Sequence, residues 1–483
     1  MTKLAKQSGL MVLFGASGDL ARRELYPALY KLYDRGLLAQ EFAVLGSSRE
    51  EWSDQEFRDY IKDHMEKQDS QIKIDPDFLK HLYYQPADIT EAESFKGLKD
   101  KAEEVINQHQ TGDDIFYYLS IAPSFIEAAA ENLKQADFFA LANKQRLVVE
   151  KPFGSDQASA EALYKHLNEI FDAKDIYLTD HFAAMDFNQN ILATRFTNPA
   201  IEAIWNKDYI SNVQISLPES MSIGIRGEFY DSTGALLDMF QNHILQILVN
   251  VAMELPKELT EEAIHKAKIE ALQNVSSMTK KQVGDRIVRG QYIGDEAGKN
   301  VAYVEEAGVE LTSQTETFVV GDLRIQSDRW KGVPFYFYTG KSLDEHYFKV
   351  DLVFKSPHQQ ANHPTSRLTF YIEPAWGMQW VLEQKRNEQD YSTQATFLKR
   401  SPEAIERSYV PNPYENVLYD AFAQDKTTFV TIEEILEQWR ITDAIIKHWE
   451  TETSLEAYPY KSSGPQAMHR LTEANGHHWI IES

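Results

Sequence analysis

The stretch Leu10-Met11-Val12-Leu13-Phe14-Gly15-Ala16-Ser17-Gly18-Asp19-Leu20 decides the fold of the first part of this chain. Its apolar run predicts a buried β-strand, and the glycines after it predict a tight turn that opens a helix. Backbone N–H groups at the start of a helix attract phosphates. The segment therefore predicts a pyrophosphate site, with an ordinary strand-to-helix turn as the alternative. The residues assigned to the cofactor here are Gly15, Ser17, Gly18, Asp19 and Leu20.

A second apolar run, Phe42–Gly46, ends in Ser47-Ser48-Arg49. An NAD site places a carboxylate at this strand end for the ribose 2′-hydroxyl, whereas an NADP site places small hydroxyls and an arginine for the 2′-phosphate. Ser48 and Arg49 therefore predict NADP as the cofactor. The alternative for Arg49 is a solvated surface side chain.

Composition limits the class of protein. A chain of 483 residues is long enough for two or more cores. Its formal net charge of −25 argues against nucleic-acid and anionic-membrane partners, because both need a basic face. The absence of cysteine excludes disulfides and thiolate chemistry, and we assign no metal ligands. No apolar run approaches the roughly 20 residues of a membrane span. We expect a cytoplasmic enzyme that acts on a small molecule.

The order of predicted elements indicates two domains. Strands and helices alternate over the first 180 residues, which predicts a doubly wound parallel sheet. From about residue 200, alternating runs of the antiparallel kind predominate. The predicted fold is α/β plus α+β, with a dinucleotide-binding domain over 1–180, a larger domain with a mostly antiparallel sheet over 181–483, and the active site in the cleft between them. The predicted strands are Leu10–Phe14, Phe42–Gly46, Ile115–Ile121, Leu147–Glu150, Ile176–Leu178, Val213–Leu217, Phe318–Val320, Val333–Tyr338, Lys349–Phe354 and Leu368–Ile372; the predicted helices include Ser124–Gln135, Gln157–Ala173, Gly234–Glu254 and Thr431–Trp449.

Five blocks of sequence, in order, resemble the glucose-6-phosphate dehydrogenase family, and Trp205–Ile210 is similar to its lactic-acid-bacterial branch. The resemblance covers nearly the whole chain and implies a homodimer. The blocks are Gly15–Ala21, Glu150–Gly154, Asp180-His181, Asp238–His243 and Arg329–Phe335 with Thr339-Gly340-Lys341.

The resemblance implies an acid–base pair for oxidation of a sugar at C1. His243 matches the family base that takes the O1 proton, a task that suits a group with a pKa near neutrality. Asp180 matches the carboxylate that orients and stabilises the resulting imidazolium.

The remaining family contacts concern the sugar and its phosphate. The resemblance implies that Lys151, before a cis peptide to Pro152, bridges substrate and cofactor, and that His181 contacts the sugar phosphate. Three further positions match residues that hold sugar hydroxyls, namely Glu219, Asp238 and Lys341.

The chain departs from the family at positions that bind the sugar phosphate. Phe182 stands in place of a tyrosine, and Met185, Glu24 and His346 stand in place of cations, while Tyr338 replaces an arginine. Since a charge-assisted hydrogen bond contributes roughly 1.5–3 kcal/mol, several such losses weaken phosphate binding greatly. Met185 and His346 thus become substrate-site residues with altered chemistry.

Three functions remain open. The first is an NADP-linked C1 dehydrogenase for a hexose that lacks the 6-phosphate or carries a neutral or cationic group. The second is a conventional glucose-6-phosphate dehydrogenase with compensating cations, for which Arg22, Arg23 and Lys207 are candidates. The third is a catalytically silent NADP-binding paralogue, which the intact Asp180 and His243 argue against.

Overall fold

A six-stranded parallel sheet forms the centre of the amino-terminal part of the protein, in the strand order β3-β2-β1-β4-β5-β6. The structure is a computed structural model and describes residues 4–70, 72–295, 299–356, 366–373, 377–386, 393–400 and 409–481. Leu10–Phe14 are fully buried between two neighbouring strands, as a parallel sheet covered on both faces requires. The strands are β1 Gln7–Phe14, β2 Leu38–Ser47, β3 Leu82–Tyr84, β4 Asp114–Leu119, β5 Lys144–Glu150 and β6 Ile176–Thr179.

The crossover connections of this sheet are helical, and this confirms the predicted doubly wound fold. A short π-helix, Ala21–Leu25, follows the glycine turn and continues into the first α-helix. Strand β3 escaped prediction because it has only three residues, and β4 ends at Leu119 rather than at Ile121. The helices are α1 Tyr26–Asp34, α2 Asp54–Gln68, α3 Pro76–Leu79, α4 Ser94–His109, α5 Ile126–Gln135 and α6 Gln157–Asn168, with 3₁₀ turns at Pro123–Phe125, Phe138–Ala140 and Ala173–Asp175.

The chain divides into two compact units. The first takes in Met1–Asp186 and Val410–Leu436, and the second takes in Phe187–Tyr409 and Glu437–Ser483. The sequence-based division at residue 180 places the whole later chain in the second domain. It does not anticipate that residues 410–436 belong to the first unit.

Helix α13, Pro413–Ala423, explains the return of the chain to the first unit. It packs on β1 and α1, and its Val417 and Leu418 are fully buried in the core of that unit. The buried Glu415 carboxylate accepts a hydrogen bond of 3.0 Å from Arg35 at the end of α1. Apolar burial and this ion pair therefore hold α13 in the first unit.

A nine-stranded mixed sheet organises the second unit, in the order β14-β13-β12-β11-β7-β10-β9-β8-β15. Six of its pairings are antiparallel, and the pairs β7–β10 and β8–β15 are parallel. The prediction of a mostly antiparallel second sheet is confirmed. The strands are β7 Ile210–Pro218, β8 Ile287–Ile293, β9 Phe318–Arg324, β10 Pro334–Gly340, β11 Phe348–Phe354, β12 Arg367–Glu373, β13 Gly377–Lys385, β14 Thr393–Arg400 and β15 Glu456–Pro459.

The helices of the second unit include an unusually long π-helix. This π-helix, Leu236–Ile244, runs directly into α10, so the single helix predicted over Gly234–Glu254 has two hydrogen-bonding patterns. π-Helical segments occur frequently at functional sites. Among the described residues, no helix combines the length and apolar character that crossing a membrane requires. The α-helices are α7 Asp186–Thr197, α8 Pro199–Ile204, α9 Gly227–Asp231, α10 Leu245–Ala252, α11 Glu261–Gln273, α12 Lys280–Arg286 and α15 Ala467–Glu473, with 3₁₀ turns at Gly224–Arg226 and Tyr303–Glu305; helix α14, Ile432–Trp449, is divided between the units at residue 436.

Candidate cofactor and substrate sites

The glycine turn after β1 is shaped by close backbone contacts. Gly15 has φ +77°, and a Cβ atom on it would lie 2.0 Å from the carbonyl oxygen of Ser120. A Cβ on Gly18 would lie 2.9 Å from the Gly15 carbonyl oxygen. Both positions therefore require glycine, and the turn leaves room beside it for a ligand.

A cavity of about 330 Å³ lies against this turn. It brings together five of the cofactor residues that were predicted from the sequence. The remaining three, Asp19, Leu20 and Lys151, lie outside the cavity lining. Asp19 and Leu20 open the helical segment, where Asp19 is ion-paired with Arg22 and Arg23, and Lys151 follows β5. The cavity thus lies where the sequence predicts the pyrophosphate site. Its lining comprises Gly15, Ser17, Gly18, Ser48, Arg49, Glu50, Ala87, Asp88, Ile89, Thr90, Ser120, Ile121, Ala122 and Phe125.

Two carboxylates in this lining were missed by sequence reasoning. Glu50 accepts a hydrogen bond of 2.9 Å from the Ser17 hydroxyl, so it lies over the glycine turn beside Arg49. Asp88 lies in the loop after β3, and hydrogen bonds from Thr90 lower the pKa of its carboxyl. Glu50 was visible in the sequence as the residue after Arg49, whereas Asp88 follows a strand too short to recognise.

The Glu150-Lys151-Pro152 turn follows β5, and its Lys151–Pro152 peptide is cis, as the family resemblance implied. Glu150 is buried and accepts a hydrogen bond from the Tyr118 hydroxyl. Burial raises the pKa of Glu150 to about 7, although the Tyr118 hydrogen bond and the charge of Lys151 act to lower it. The turn thus places a buried, titratable carboxyl directly before Lys151, which sequence reasoning did not identify.

Asp180 and His181 follow β6 directly. Asp180 is buried, and its Oδ1 accepts a hydrogen bond of 3.0 Å from the Phe182 backbone N–H. The His181 ring stacks on Tyr414 of α13 with ring centroids 5.7 Å apart. Burial raises the pKa of Tyr414, and the charges of Glu150, Glu24 and Asp180 raise it further.

The residues in family phosphate positions near His181 supply no cation in the first unit. Phe182 is buried and Met185 half-buried, so neither supplies a donor comparable to a hydroxyl or an ammonium. Glu24, in a family cation position, lies 3.4 Å from the Asn412 amide nitrogen.

Two of the three candidate compensating cations share one carboxylate partner. Arg22 and Arg23 are paired with Asp19. Lys207 belongs to the second unit, where it lines a separate surface cavity together with Arg329 and Glu254.

Three of the predicted sugar-binding residues meet in the second unit. Strands β7 and β10 run parallel and pair Pro218 with Gly340 at their ends, so Glu219 and Lys341 emerge at the same edge of the sheet. The Lys341 ammonium is ion-paired with Glu219 and lies 3.0 Å from an Asp238 carboxylate oxygen. Burial acts to lower the pKa of Lys341, but the charges of Asp238 and Glu219 outweigh it and raise the pKa. We call Glu219, Asp238 and Lys341 the sugar triad.

His243 occupies the last turn of the π-helix that carries Asp238 and is buried. The backbone N–H of His243 donates a hydrogen bond of 2.6 Å to the side-chain oxygen of Asn242. The Asn242 amide nitrogen in turn donates to the Leu237 carbonyl at 3.0 Å. This chain of bonds fixes the backbone of His243 within the second unit.

His346 has a carboxylate partner that sequence reasoning missed. Its Nε2 lies 3.6 Å from a Glu373 carboxylate oxygen at the end of β12. Burial raises the pKa of Glu373, the charge of His346 lowers it, and Glu219 raises it again. Tyr338, which stands in a family arginine position, is buried and lies 2.9 Å from the Tyr347 hydroxyl.

Comparison with known proteins decides the family. Residues 12–190 match the family model "Glucose-6-phosphate dehydrogenase, NAD binding domain", and residues 192–480 match "Glucose-6-phosphate dehydrogenase, C-terminal domain". The chain belongs to the glucose-6-phosphate dehydrogenase family. It is an NADP-type oxidoreductase of that family.

Relatives match over the whole length of the chain. A glucose-6-phosphate 1-dehydrogenase of Streptococcus pneumoniae is 36% identical over 97% of this chain and 96% of its own. One from Leuconostoc mesenteroides is 34% identical over 98% of each chain. A solved structure of a glucose-6-phosphate dehydrogenase in complex with its substrate glucose-6-phosphate superimposes with a TM-score of 0.90, at 27% identity and full coverage of both chains.

Proposed function

We propose that this protein oxidises the C1 hydroxyl of an aldohexopyranose to the 1,5-lactone with NADP as the oxidant. The observation that carries the proposal is the sugar triad. A buried ammonium held between two carboxylates offers both donors and acceptors to neighbouring sugar hydroxyls. The glycine-turn cavity, which is lined by Gly15, Gly18 and the Arg49 side chain, supports the same reaction.

The proposed chemistry divides between proton and hydride. His243 takes the O1 proton as general base, since a neutral imidazole is suited to this near neutral pH. Asp180 supports the tautomer of His243 and its charged form. NADP, when bound, accepts the hydride from C1. Lys151 and the sugar triad orient the pyranose ring.

We further propose that the preferred hexose lacks the dianionic 6-phosphate. His181 is the remaining phosphate residue of the family motif, and it lies on Tyr414, whose pKa the charges of Glu150, Glu24 and Asp180 help to raise. An anionic ligand at this site would meet repulsion from the carboxylates of Glu24 and Asp180, and Arg22 and Arg23 share Asp19 as an ion-pair partner. A neutral or cationic group at C6 avoids that cost.

A conventional glucose-6-phosphate 1-dehydrogenase is the second candidate. It is favoured by the full-length relatives from Streptococcus pneumoniae and Leuconostoc mesenteroides, both of which carry that name. In that case a phosphate ligand must come from a cation outside the family motif.

One screen separates these functions. Purified protein is mixed with NADP and either D-glucose 6-phosphate or an unphosphorylated aldohexose, and NADPH formation is followed by absorbance. A higher kcat/KM for a free hexose supports the proposal. A micromolar KM for glucose 6-phosphate identifies the conventional enzyme, and no NADPH from any hexose identifies a silent paralogue.

We also propose, from the family resemblance, a cytoplasmic homodimer. Sedimentation equilibrium of the full chain tests the assembly, since a dimer has twice the 55.6 kDa mass of the chain.

A further inference from the structure

The π-helix that carries Asp238 and His243 has no capping side chain of its own. Its N-cap residue is Ala235, which has no hydrogen-bonding side chain. The first N–H groups of any helix nevertheless need acceptors when they are buried. Here the N–H groups of Ala235 and Leu236 find their acceptors on one residue that is distant in sequence, Glu316, which precedes β9.

Glu316 makes two hydrogen bonds to this helix start. Its carboxylate Oε1 accepts from the Leu236 N–H at 2.9 Å, and its backbone carbonyl accepts from the Ala235 N–H at 3.0 Å. Gly234, at φ +65°, makes the approach possible, because a Cβ there would lie 2.4 Å from Glu316 Oε1. The cap by Glu316 therefore requires glycine at position 234.

The residue after Glu316 anchors the other half of the sugar triad. The Thr317 carbonyl accepts a hydrogen bond of 2.9 Å from the Lys341 backbone N–H. The Thr317 hydroxyl lies 2.8 Å from that of Tyr458, which donates to the Lys341 carbonyl at 2.7 Å. Adjacent residues therefore fix the helix of Asp238 and the strand end of Lys341.

We propose that Glu316 is a positioning residue that sets the geometry of the sugar triad by holding the start of the Asp238 helix against the Lys341 strand. The inference rests on the proposed function, in which the triad binds the sugar. Glu316 itself is almost fully buried and acts through Asp238 and Lys341.

Because Glu316 is titratable, the strength of its hydrogen bond to the helix is expected to depend on pH. Burial raises the pKa of Glu316 to about 7, although the Leu236 N–H and the charge of Arg289 on β8 act to lower it. The other titratable groups that sense Glu316 are Tyr230 of α9 and Tyr303, whose pKa values it helps to raise. An ionised carboxylate is the stronger acceptor, so the cap weakens as pH falls from 8 to 6.

The experiment compares Glu316→Ala and Glu316→Gln with Glu305→Gln. Glu305 is the matched control because its carboxylate also caps a backbone N–H of the second unit, that of Ala302 at 3.0 Å. For each variant the KM and kcat are measured with D-glucose 6-phosphate and D-glucose. The Kd for NADP is measured by protein fluorescence, and backbone amide exchange is followed over residues 235–244.

Loss of a buried charge-assisted bond is expected to raise the sugar KM of Glu316→Ala about tenfold or more. Its NADP Kd stays within about twofold, and exchange at Leu236 accelerates by a similar factor of about ten. Glu316→Gln is expected to show a smaller rise in sugar KM than Glu316→Ala, because its amide oxygen still accepts from Leu236. In the wild type we expect the sugar KM to rise between pH 8 and pH 6. Glu316→Gln is expected to lose this rise, because an amide does not titrate. Glu305→Gln matches the wild type.

An unchanged sugar KM in a folded Glu316→Ala overturns the proposal, as does an equal loss of NADP binding. If Glu316→Ala does not fold, the pH profile of Glu316→Gln decides. If the wild type oxidises neither sugar, the proposed function fails, and amide exchange at Leu236 alone tests the positioning role.

Discussion

The Ser17 hydroxyl donates a hydrogen bond of 2.9 Å to the Glu50 carboxylate inside the cofactor cavity, next to Arg49. A site chosen for the 2′-phosphate of NADP therefore contains a carboxylate as well as the expected arginine. A carboxylate repels a phosphate and accepts a hydrogen bond from a ribose hydroxyl. The balance of these neighbouring charges sets the preference between NADP and NAD.

Glu50→Gln is expected to raise the ratio of kcat/KM for NADP to that for NAD by a few-fold, since it removes a charge near the 2′-phosphate. Steady-state kinetics with both cofactors at low and high salt measure this, and the gain shrinks as salt increases. Glu51→Gln is the control, because Glu51 is exposed and lies outside the cavity lining. A ratio that stays the same or falls contradicts the role of Glu50.

Arg49→Ala tests the NADP assignment by removing the positive charge instead of the negative one. Loss of one charge-assisted bond to the 2′-phosphate is expected to lower kcat/KM for NADP by about ten- to a hundredfold, with little change for NAD. The measurement is the same pair of kinetic constants. If the wild type prefers NAD, or if NADP use survives the substitution, Arg49 has no part in cofactor choice.

His243→Asn is expected to lower kcat by roughly 10²–10⁴-fold or more, because the general base is lost, and to leave the Kd for NADP unchanged. Asp180→Asn also lowers kcat, through loss of the correct orientation of the imidazole. Single-turnover NADPH formation and fluorescence titration separate chemistry from cofactor binding. Near-normal turnover of His243→Asn would remove the proposed mechanism.

Restoring cations tests the altered phosphate site. Met185→Lys combined with Glu24→Lys is expected to raise kcat/KM for glucose 6-phosphate and to leave or lower it for free hexose. The control is Glu93→Lys, which makes the same change of charge as Glu24→Lys at an exposed position. A wild type with micromolar KM and no gain in the double variant identifies the conventional enzyme.

Asp420→Asn is expected to stabilise the protein at alkaline pH. Burial raises the pKa of Asp420 to about 7, whereas an unfolded aspartate has a pKa of about 3.9. The folded state therefore binds more protons, and the free energy of unfolding falls as pH rises from about 4 to 7. Melting curves at pH 5 and pH 8 measure the effect. The variant shows a higher Tm than the wild type at pH 8 because its amide stays neutral, and the exposed Asp34→Asn leaves the wild-type pH dependence unchanged.

The sequence by itself determined the parts that depend on local chemistry. The apolar run Leu10–Phe14 with Gly15 and Gly18 was enough to place a parallel sheet and a cofactor turn, because buried strands and tight turns tolerate few other residues. The order of the five blocks was enough to predict the family, and the family-model matches over residues 12–190 and 192–480 confirm it.

Only the tertiary structure decided which distant residues share a site. Pairing of β7 with β10 brings Glu219 to Lys341, and packing of α13 on the first unit brings Tyr414 to His181. Glu316 was invisible in the sequence because its partners, Ala235 and Leu236, lie about 80 residues earlier in the chain. Such contacts depend on burial and hydrogen bonding across the folded sheet, which no local pattern of residues encodes.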